Sequence, residues 1–171
     1  FGNTLTKDDV VDGGDGEDIL SVTSLTAANL AGVTNVETLQ FTGTTTLAKD
    51  LSFDKIDLTN GTNADSVTFS TGYTNSTTVK VDQGDTVVNT VADIALTVNG
   101  TAADFDATGS ATTITGSDKA GVTNSMKVTA DSTADGTADV VTSGKITNID
   151  AITVADAGDA AILMFLSSGW A

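Results

Sequence analysis

Cysteine, histidine, proline and arginine are all missing from this chain. Without cysteine there is no disulfide framework, thiol nucleophile or thiolate metal site. Without histidine the usual zinc ligand and the usual general base are gone, and much catalytic chemistry goes with them. Cationic side chains are scarce: seven lysines face 23 acidic residues, for a net charge of −16. A surface of that sign repels nucleic acid and anionic lipid, and it lacks the basic stripe that phosphate binding requires. Aromatic residues are only 5% of the chain, so Val, Ile, Leu and Ala must fill any core. Long apolar runs are missing as well. The longest, Ala160 to Leu166, falls far short of the ~20 residues of a membrane-spanning helix and reads as a buried strand or a terminal helix.

What is present is skewed. Glu17 and Glu37 are the only glutamates, so aspartate supplies 21 of the 23 acids. A solvated helical surface would favour Glu over Asp, which is a poor helix former. Threonine makes up about a fifth of the 171 residues, and with valine it suits pleated, half-buried strands. Charge alone would permit disorder, but 39% of the residues are hydrophobic and they alternate, which a disordered chain does not need. A folded all-β chain is expected, its self-repulsion relieved by bound cations. Phe1 at the start, with no basic region leading an apolar stretch, is what a mature, excised or processed piece would show.

The most specific stretch is Asp12-Gly13-Gly14-Asp15-Gly16-Glu17-Asp18-Ile19-Leu20-Ser21. From Gly13 it spells G-G-x-G-x-D-x-L-x, the nine-residue calcium-binding repeat of parallel β-rolls. Glycines let successive carbonyls turn toward one point, and the aspartate adds a hard anionic oxygen. The leucine anchors the turn in the interior. Calcium takes six to eight such oxygens in a tolerant geometry. Asp9 stands nine residues before Asp18 and opens a degenerate copy, Asp9-Val10-Val11-Asp12. Asp9, Asp12, Asp15 and Asp18, with carbonyls near Gly13, Gly14 and Gly16, are therefore the main candidate Ca2+ ligands. Four carboxylates crowded into ten residues repel one another unless a cation sits among them. At these residues the chain resembles the RTX proteins, calcium-dependent proteins exported by bacterial type I machinery.

After that turn, Ser24 to Gly32 predicts a short helix, with Ser24 as cap and Gly32 as stop. Val33 to Phe41 alternates as a strand. Further strands are predicted at Leu51 to Leu58, Ser66 to Ser70, Thr77 to Asp82, Thr86 to Asn89 and Ile94 to Val98. Others follow at Ala111 to Thr115, Met126 to Thr129, Val140 to Thr142 and Ala151 to Val154. Two phrases recur. Val33-Thr34-Asn35-Val36-Glu37-Thr38-Leu39-Gln40-Phe41 lines up with Ile146-Thr147-Asn148-Ile149-Asp150-Ala151-Ile152-Thr153-Val154. Glycine turns that deliver an acid just before an apolar strand residue recur at Asn60 to Val67, Asn99 to Phe105 and Asp135 to Val140. They make Asp65, Asp104 and Asp139 further candidate metal ligands. Each is equally a turn aspartate that caps its own backbone. Asp82 and Asp85 flank a similar turn at Gln83-Gly84, and Asp54 and Asp57 read as a solvated strand face.

Degenerate glycine–aspartate turns and the phrase N-V-E-T-L look like the crystalline surface-layer proteins and large adhesins of the RTX group. That resemblance implies an irregular, calcium-stabilised parallel β-solenoid; a β-sandwich of sequential hairpins would show similar strand spacing. One continuous domain is expected, with an RTX-like turn, helix and strand in residues 1–43, degenerate solenoid repeats in 44–158, and an apolar cap or docking segment in 159–171. The implied function is structural: part of a self-assembling surface layer or similar assembly, extracellular on the bacterial cell. It would be a homo-oligomer as a lattice or filament, with cell-surface polysaccharide as a further partner. A spacer in an adhesin stalk, an ice-binding solenoid and an enzyme accessory module are the rival readings. Thr4-Leu5-Thr6, Thr44-Thr45-Thr46 and Thr113-Ile114-Thr115 suggest ice binding, but they do not recur at a fixed turn length, so one flat ladder does not follow from the sequence. Enzyme activity is not expected, because no Arg, His or aromatic subsite accompanies any carboxylate pair. The Asn-x-Thr triplets at Asn60, Asn75 and Asn99 are read as turn chemistry, and Tyr73 and Trp170 as packing or contact residues.

Overall fold

A computed structural model of the chain describes residues 5–23, 25–48, 51, 53–59, 64–89, 94, 96–101, 112–129, 139–142, 146–155 and 162–165. In chain order the strands are β1 (Val11–Asp12), β2 (Ile19–Thr23), β3 (Val33–Thr34), β4 (Thr38–Thr42), β5 (Thr44–Leu47) and β6 (Lys55–Asp57). Next come β7 (Ser66–Phe69), β8 (Thr77–Lys80), β9 (Thr86–Asn89), β10 (Leu96–Thr101) and β11 (Thr113–Thr115). The last are β12 (Ser125–Thr129), β13 (Asp139–Thr142), β14 (Ile146–Thr147), β15 (Ala151–Ala155) and β16 (Ile162–Phe165).

Seven strands form one sheet in the order β15-β12-β10-β8-β6-β4-β2, and five form another in the order β14-β11-β9-β7-β5. Two short pairs, β1-β3 and β13-β16, complete the pairing among the described residues. Every pair is parallel. Sequential hairpins would give antiparallel neighbours, so the sandwich alternative falls. The chain is an irregular parallel β-solenoid. Its irregularity is measurable in the register: Thr38 lies opposite Lys55, 17 residues on, whereas Ile114 lies opposite Ile146, 32 residues on.

Alternation places every second residue inside. Leu20, Leu39, Ile56, Val79, Val98 and Met126 are successive partners in the seven-stranded sheet, and all are buried. Val67, Val87, Ile114 and Ile146 make the matching row in the other sheet. Each such side chain stabilises the fold by about 1.5–3 kcal/mol relative to exposure, and stacked rows of like aliphatics need no bulky aromatics between them. Among the described residues the one aromatic contact is Phe69 on Tyr73, with ring centroids 5.0 Å apart. Tyr73 is buried, and its hydroxyl donates to the Phe53 carbonyl at 3.2 Å while lying 2.9 Å from Thr77 Oγ1. Burial pushes its phenol upward from the ordinary value.

The predicted helix is corrected to a single 3-10 turn, Ala27–Leu30, entered from Thr26. The Asn29 side-chain oxygen accepts both the Thr26 N–H and the Thr26 hydroxyl, each at 2.7 Å. Such local bonds compete with helix propagation, and here they close the turn first. Ser24, the expected cap, lies outside the described residues.

Candidate cation-binding turns

Between β1 and β2 the glycine-rich turn passes beneath the next coil. The Gly13 N–H donates to the Thr34 carbonyl at 3.0 Å. A Cβ on Gly13 would stand 1.8 Å from the Asn35 carbonyl oxygen, so no other residue fits. Asn35 itself is left-handed, with φ 52°. Asp12 Oδ1 accepts the Gly14 N–H at 3.1 Å and the Asn35 amide at 2.8 Å. Asp15 is exposed. Gly14 and Gly16 both have positive φ, 88° and 136°. At the end of the turn the Asp18 N–H donates to Glu37 Oε2 at 2.8 Å, while Asp18 Oδ2 is buried and accepts no hydrogen bond.

Asp9 lies before β1. Its Oδ2 accepts the Thr6 N–H at 2.7 Å and the Thr6 hydroxyl at 2.9 Å. One coil on, Asn29 does the same for Thr26 with a neutral amide. The nine-residue offset between Asp9 and Asp18 thus joins two unlike places: one before β1, the other before β2. Asp9 and Asp12 turn their carboxylates to separate backbone N–H groups. Among the described residues no three acidic side chains gather in a group that could hold a metal ion.

Acids also recur in a second role that the sequence reading missed. The residue just before a strand reaches back one coil and accepts the N–H of the residue just before the preceding strand. Glu37 does this for Asp18 at 2.8 Å, Asp65 for Gly43 at 2.5 Å, Asp85 for Asp65 at 3.0 Å and Asp150 for Asn124 at 2.7 Å. These N–H groups lie at corners where the strand ladder has not yet begun, and a carboxylate is the strongest neutral-pH acceptor available to them.

Asp65 and Asp85 are the buried members, 4% and 0% exposed. Asp85 Oδ2 also accepts the Asp82 N–H at 2.9 Å. Desolvation pushes the Asp85 carboxyl up to about 7, the Asp82 and Asp65 charges push the same way, and the backbone bonds from Asp82 and Asp65 pull against them. Asp65 Oδ2 is buried and accepts no hydrogen bond. The signal was in the alternation: Asp65, Val67 and Phe69 share one parity, as do Asp85 and Val87, and that parity faces inward. Asp57 accepts from Thr59, and Asp54 from the Asn75 amide, as surface acids do. Asp139 begins β13 opposite Ile162 in the backbone ladder, and Asp104 lies outside the described residues.

The recurring phrase marks a repeated corner. Gly116 donates to the Thr147 carbonyl at 2.9 Å, as Gly13 does to Thr34. A Cβ there would stand 2.1 Å from the oxygen of Asn148, whose φ is 54°. Asn124 takes the place of Asp18, and its Oδ1 is likewise buried without a partner. No family model, curated protein or solved structure matches the chain.

Proposed function

We propose that the chain is a calcium-binding structural segment of an extracellular bacterial surface assembly of the RTX type. The observation that carries this reading is Asp18 Oδ2. It is an anionic oxygen at the end of a glycine-rich turn, buried and unpartnered, next to an acid one coil on. A buried, unsatisfied carboxylate oxygen is costly, and a hard cation supplies what it lacks. Asp18 and Glu37 would hold the ion, and Asp12, Asp15 and the carbonyls near Gly13, Gly14 and Gly16 would turn toward it on binding. When bound, calcium supplies charge neutralisation across the turn, and its binding free energy becomes folding free energy. Asp18 also fixes the start of β2, because its carbonyl accepts the Thr38 N–H at 3.0 Å.

The test is far-UV circular dichroism during calcium titration after chelation. The expected result is β-structure that appears with calcium. Full β-structure in excess chelator would sink the coupling of folding to metal. Negative-stain microscopy in calcium then separates a lattice or filament from a monomeric adhesin spacer.

A second reading, ice binding, has a specific observation behind it. Thr44 and Thr113 fall in one outward row of the five-stranded sheet, with Ser66 and Thr86 between them. Thr46, Thr68, Val88, Thr115 and Thr147 form the row beside it. Hydroxyls on parallel strands repeat at about 4.8 Å across and about 6.7 Å along the strand, a grid on which bound water can order as ice. Growth of ice crystals unaffected by the protein in a recrystallisation assay would remove this reading.

A further inference from the structure

The outermost strand of the five-stranded sheet, β5, is paired on one side only. On the β7 side the Gly43 carbonyl accepts the Ser66 N–H at 2.7 Å, and the Leu47 carbonyl accepts the Ser70 N–H at 2.9 Å. Backbone groups alternate in direction along a strand, so the N–H and C=O of Thr44 and Thr46 face the other way. Both residues are exposed, and among the described residues no hydrogen bond is made to those backbone groups. The preceding coil does not supply the missing strand. Thr23 lies opposite Thr42, so Leu25 to Ala28 are the residues that would continue alongside Thr44 to Leu47. They leave instead for the 3-10 turn, which Asn29 holds through Thr26 and the Leu5 carbonyl. What remains is a cavity of ≈ 460 Å³, with Leu25, Ala27 and Ala28 on one wall and Thr44, Thr46 and Ala48 on the other. No charged residue lines it.

We propose that this edge takes an extended segment of a different protein as a sixth strand, uncharged where it lies in the cavity and basic on either side of it. An exposed row of unpaired backbone donors and acceptors is a template for a strand, because main-chain hydrogen bonds supply the affinity whatever the side chains. The side chains then set the fit. Alternate residues of the incoming segment would face Ala27 and Ala28, which leaves room for small ones, and a charge placed there would lose its water without gaining a partner. Charge also names the source. A second copy would bring a net charge of −16 against another −16. The strand at the far end of its own five-stranded sheet, β14, is only two residues long. A foreign segment with lysine or arginine flanks is drawn in by the field that repels a copy.

The experiment is fluorescence anisotropy of a labelled synthetic peptide, K-K-T-S-T-V-T-K-K, titrated with the full chain in calcium. Circular dichroism of every sample establishes that it is folded, which keeps this test separate from the calcium reading. The control is the same peptide N-methylated at alternate central amides, which keeps its side chains and charge but cannot complete a ladder. Saturable binding of the parent peptide is expected, with the control about tenfold weaker. Thr46→Pro removes the N–H that faces the cavity and leaves the β7 ladder whole, a change edge strands tolerate; it should weaken binding by a similar factor. Ala28→Gln, on the exposed wall, should weaken binding by crowding, with spectra unchanged. No binding of the parent peptide, equal binding of the methylated one, or unchanged affinity in both variants overturns the proposal. So does a sedimentation result in which the chain self-associates and Thr46→Pro abolishes it, because the edge would then belong to a second copy.

Discussion

At the N-terminal corner Gly13 lies beneath the Asn35 carbonyl, Glu37 caps the Asp18 N–H, and Asp18 carries a buried free oxygen. At the C-terminal corner Gly116 lies beneath Asn148, Asp150 caps the Asn124 N–H, and Asn124 carries the buried free oxygen. The backbone scheme is the same and the charge is not. Asparagine holds the second corner closed, with its amide donating to the Ser117 carbonyl at 3.0 Å, so the turn itself asks only for an oxygen at this place. The carboxylate at Asp18, with exposed Asp12, Asp15 and Glu17 beside it, is negative charge that the fold does not require. That surplus is the charge that the proposed cation would neutralise.

Steric closure is common to both corners, so breaking it should have the largest effect and an equal one. Gly13→Ala and Gly116→Ala each force a methyl to about 2 Å from a carbonyl oxygen. Each should destabilise by about 4–5 kcal/mol in urea unfolding, at the exceptional end of single substitutions. Gly14→Ala is the control. Its φ is 88° with open space around the added carbon, so only the left-handed penalty of about 1–2 kcal/mol applies. A Gly116→Ala variant as stable as the parent would mean that the two corners are not equivalent.

The interior acids come next. The Asp85 carboxyl is raised by burial from 3.8 to about 7. Below the lower value it is protonated whether the chain is folded or not. Between the two the unfolded chain loses its proton while the folded chain keeps it, so stability falls as pH rises from about 4 to about 7 and levels off above that. The drop attributable to Asp85 is at most about 4 kcal/mol. Unfolding measured across that window should show the slope, and Asp85→Asn should flatten it. A slope of the same size in the variant would locate the titration elsewhere.

Much of this architecture is legible in the residues. Alternation located β7, β8 and β9 to within a residue or two, and the aspartate-rich, proline-free composition pointed to strands and turns. The repeated Thr-Asn phrase predicted two related segments, and they are the lids of the two equivalent corners. What was not legible depends on neighbours one coil away, at sequence distances of about 20 residues that vary from coil to coil. Asp65 reads as a turn acid until its parity with Val67 is noticed. Thr44-Thr45-Thr46 did not read as a strand, yet β5 puts Thr45 inside and Thr44 and Thr46 outside. The nine-residue spacing of Asp9 and Asp18 is real in the sequence, but it relates two different structural places.

Exchanging the charges sharpens the comparison at a smaller energy. Asp18→Asn converts the first corner into the second and should cost under about 1 kcal/mol in chelator, because Glu37 still caps the residue 18 N–H. The same variant should lose most of the stabilisation that calcium confers on the parent, read as the shift in Tm on adding calcium. Asn124→Asp puts a second acid beside Asp150 and should gain a calcium response that the parent corner lacks. Equal calcium responses in parent and Asp18→Asn would remove Asp18 from the metal.

The smallest change is the one that separates the two acids of the nine-residue spacing. Leu5-Thr6-Lys7-Asp8-Asp9 and Leu25-Thr26-Ala27-Ala28-Asn29 follow the same pattern, and in both the last side chain accepts the threonine N–H and hydroxyl. Asn29 does so without charge and adds a bond from its amide to the Leu5 carbonyl at 2.9 Å. Asp9→Asn should therefore change stability by no more than about 0.5 kcal/mol and leave the calcium midpoint where it was. If instead it moves that midpoint as far as Asp18→Asn does, Asp9 is a ligand in the calcium-bound turn. The repeat would then act as a nine-residue unit, and the bond from Asp9 to Thr6 would have to be exchanged for one to the ion.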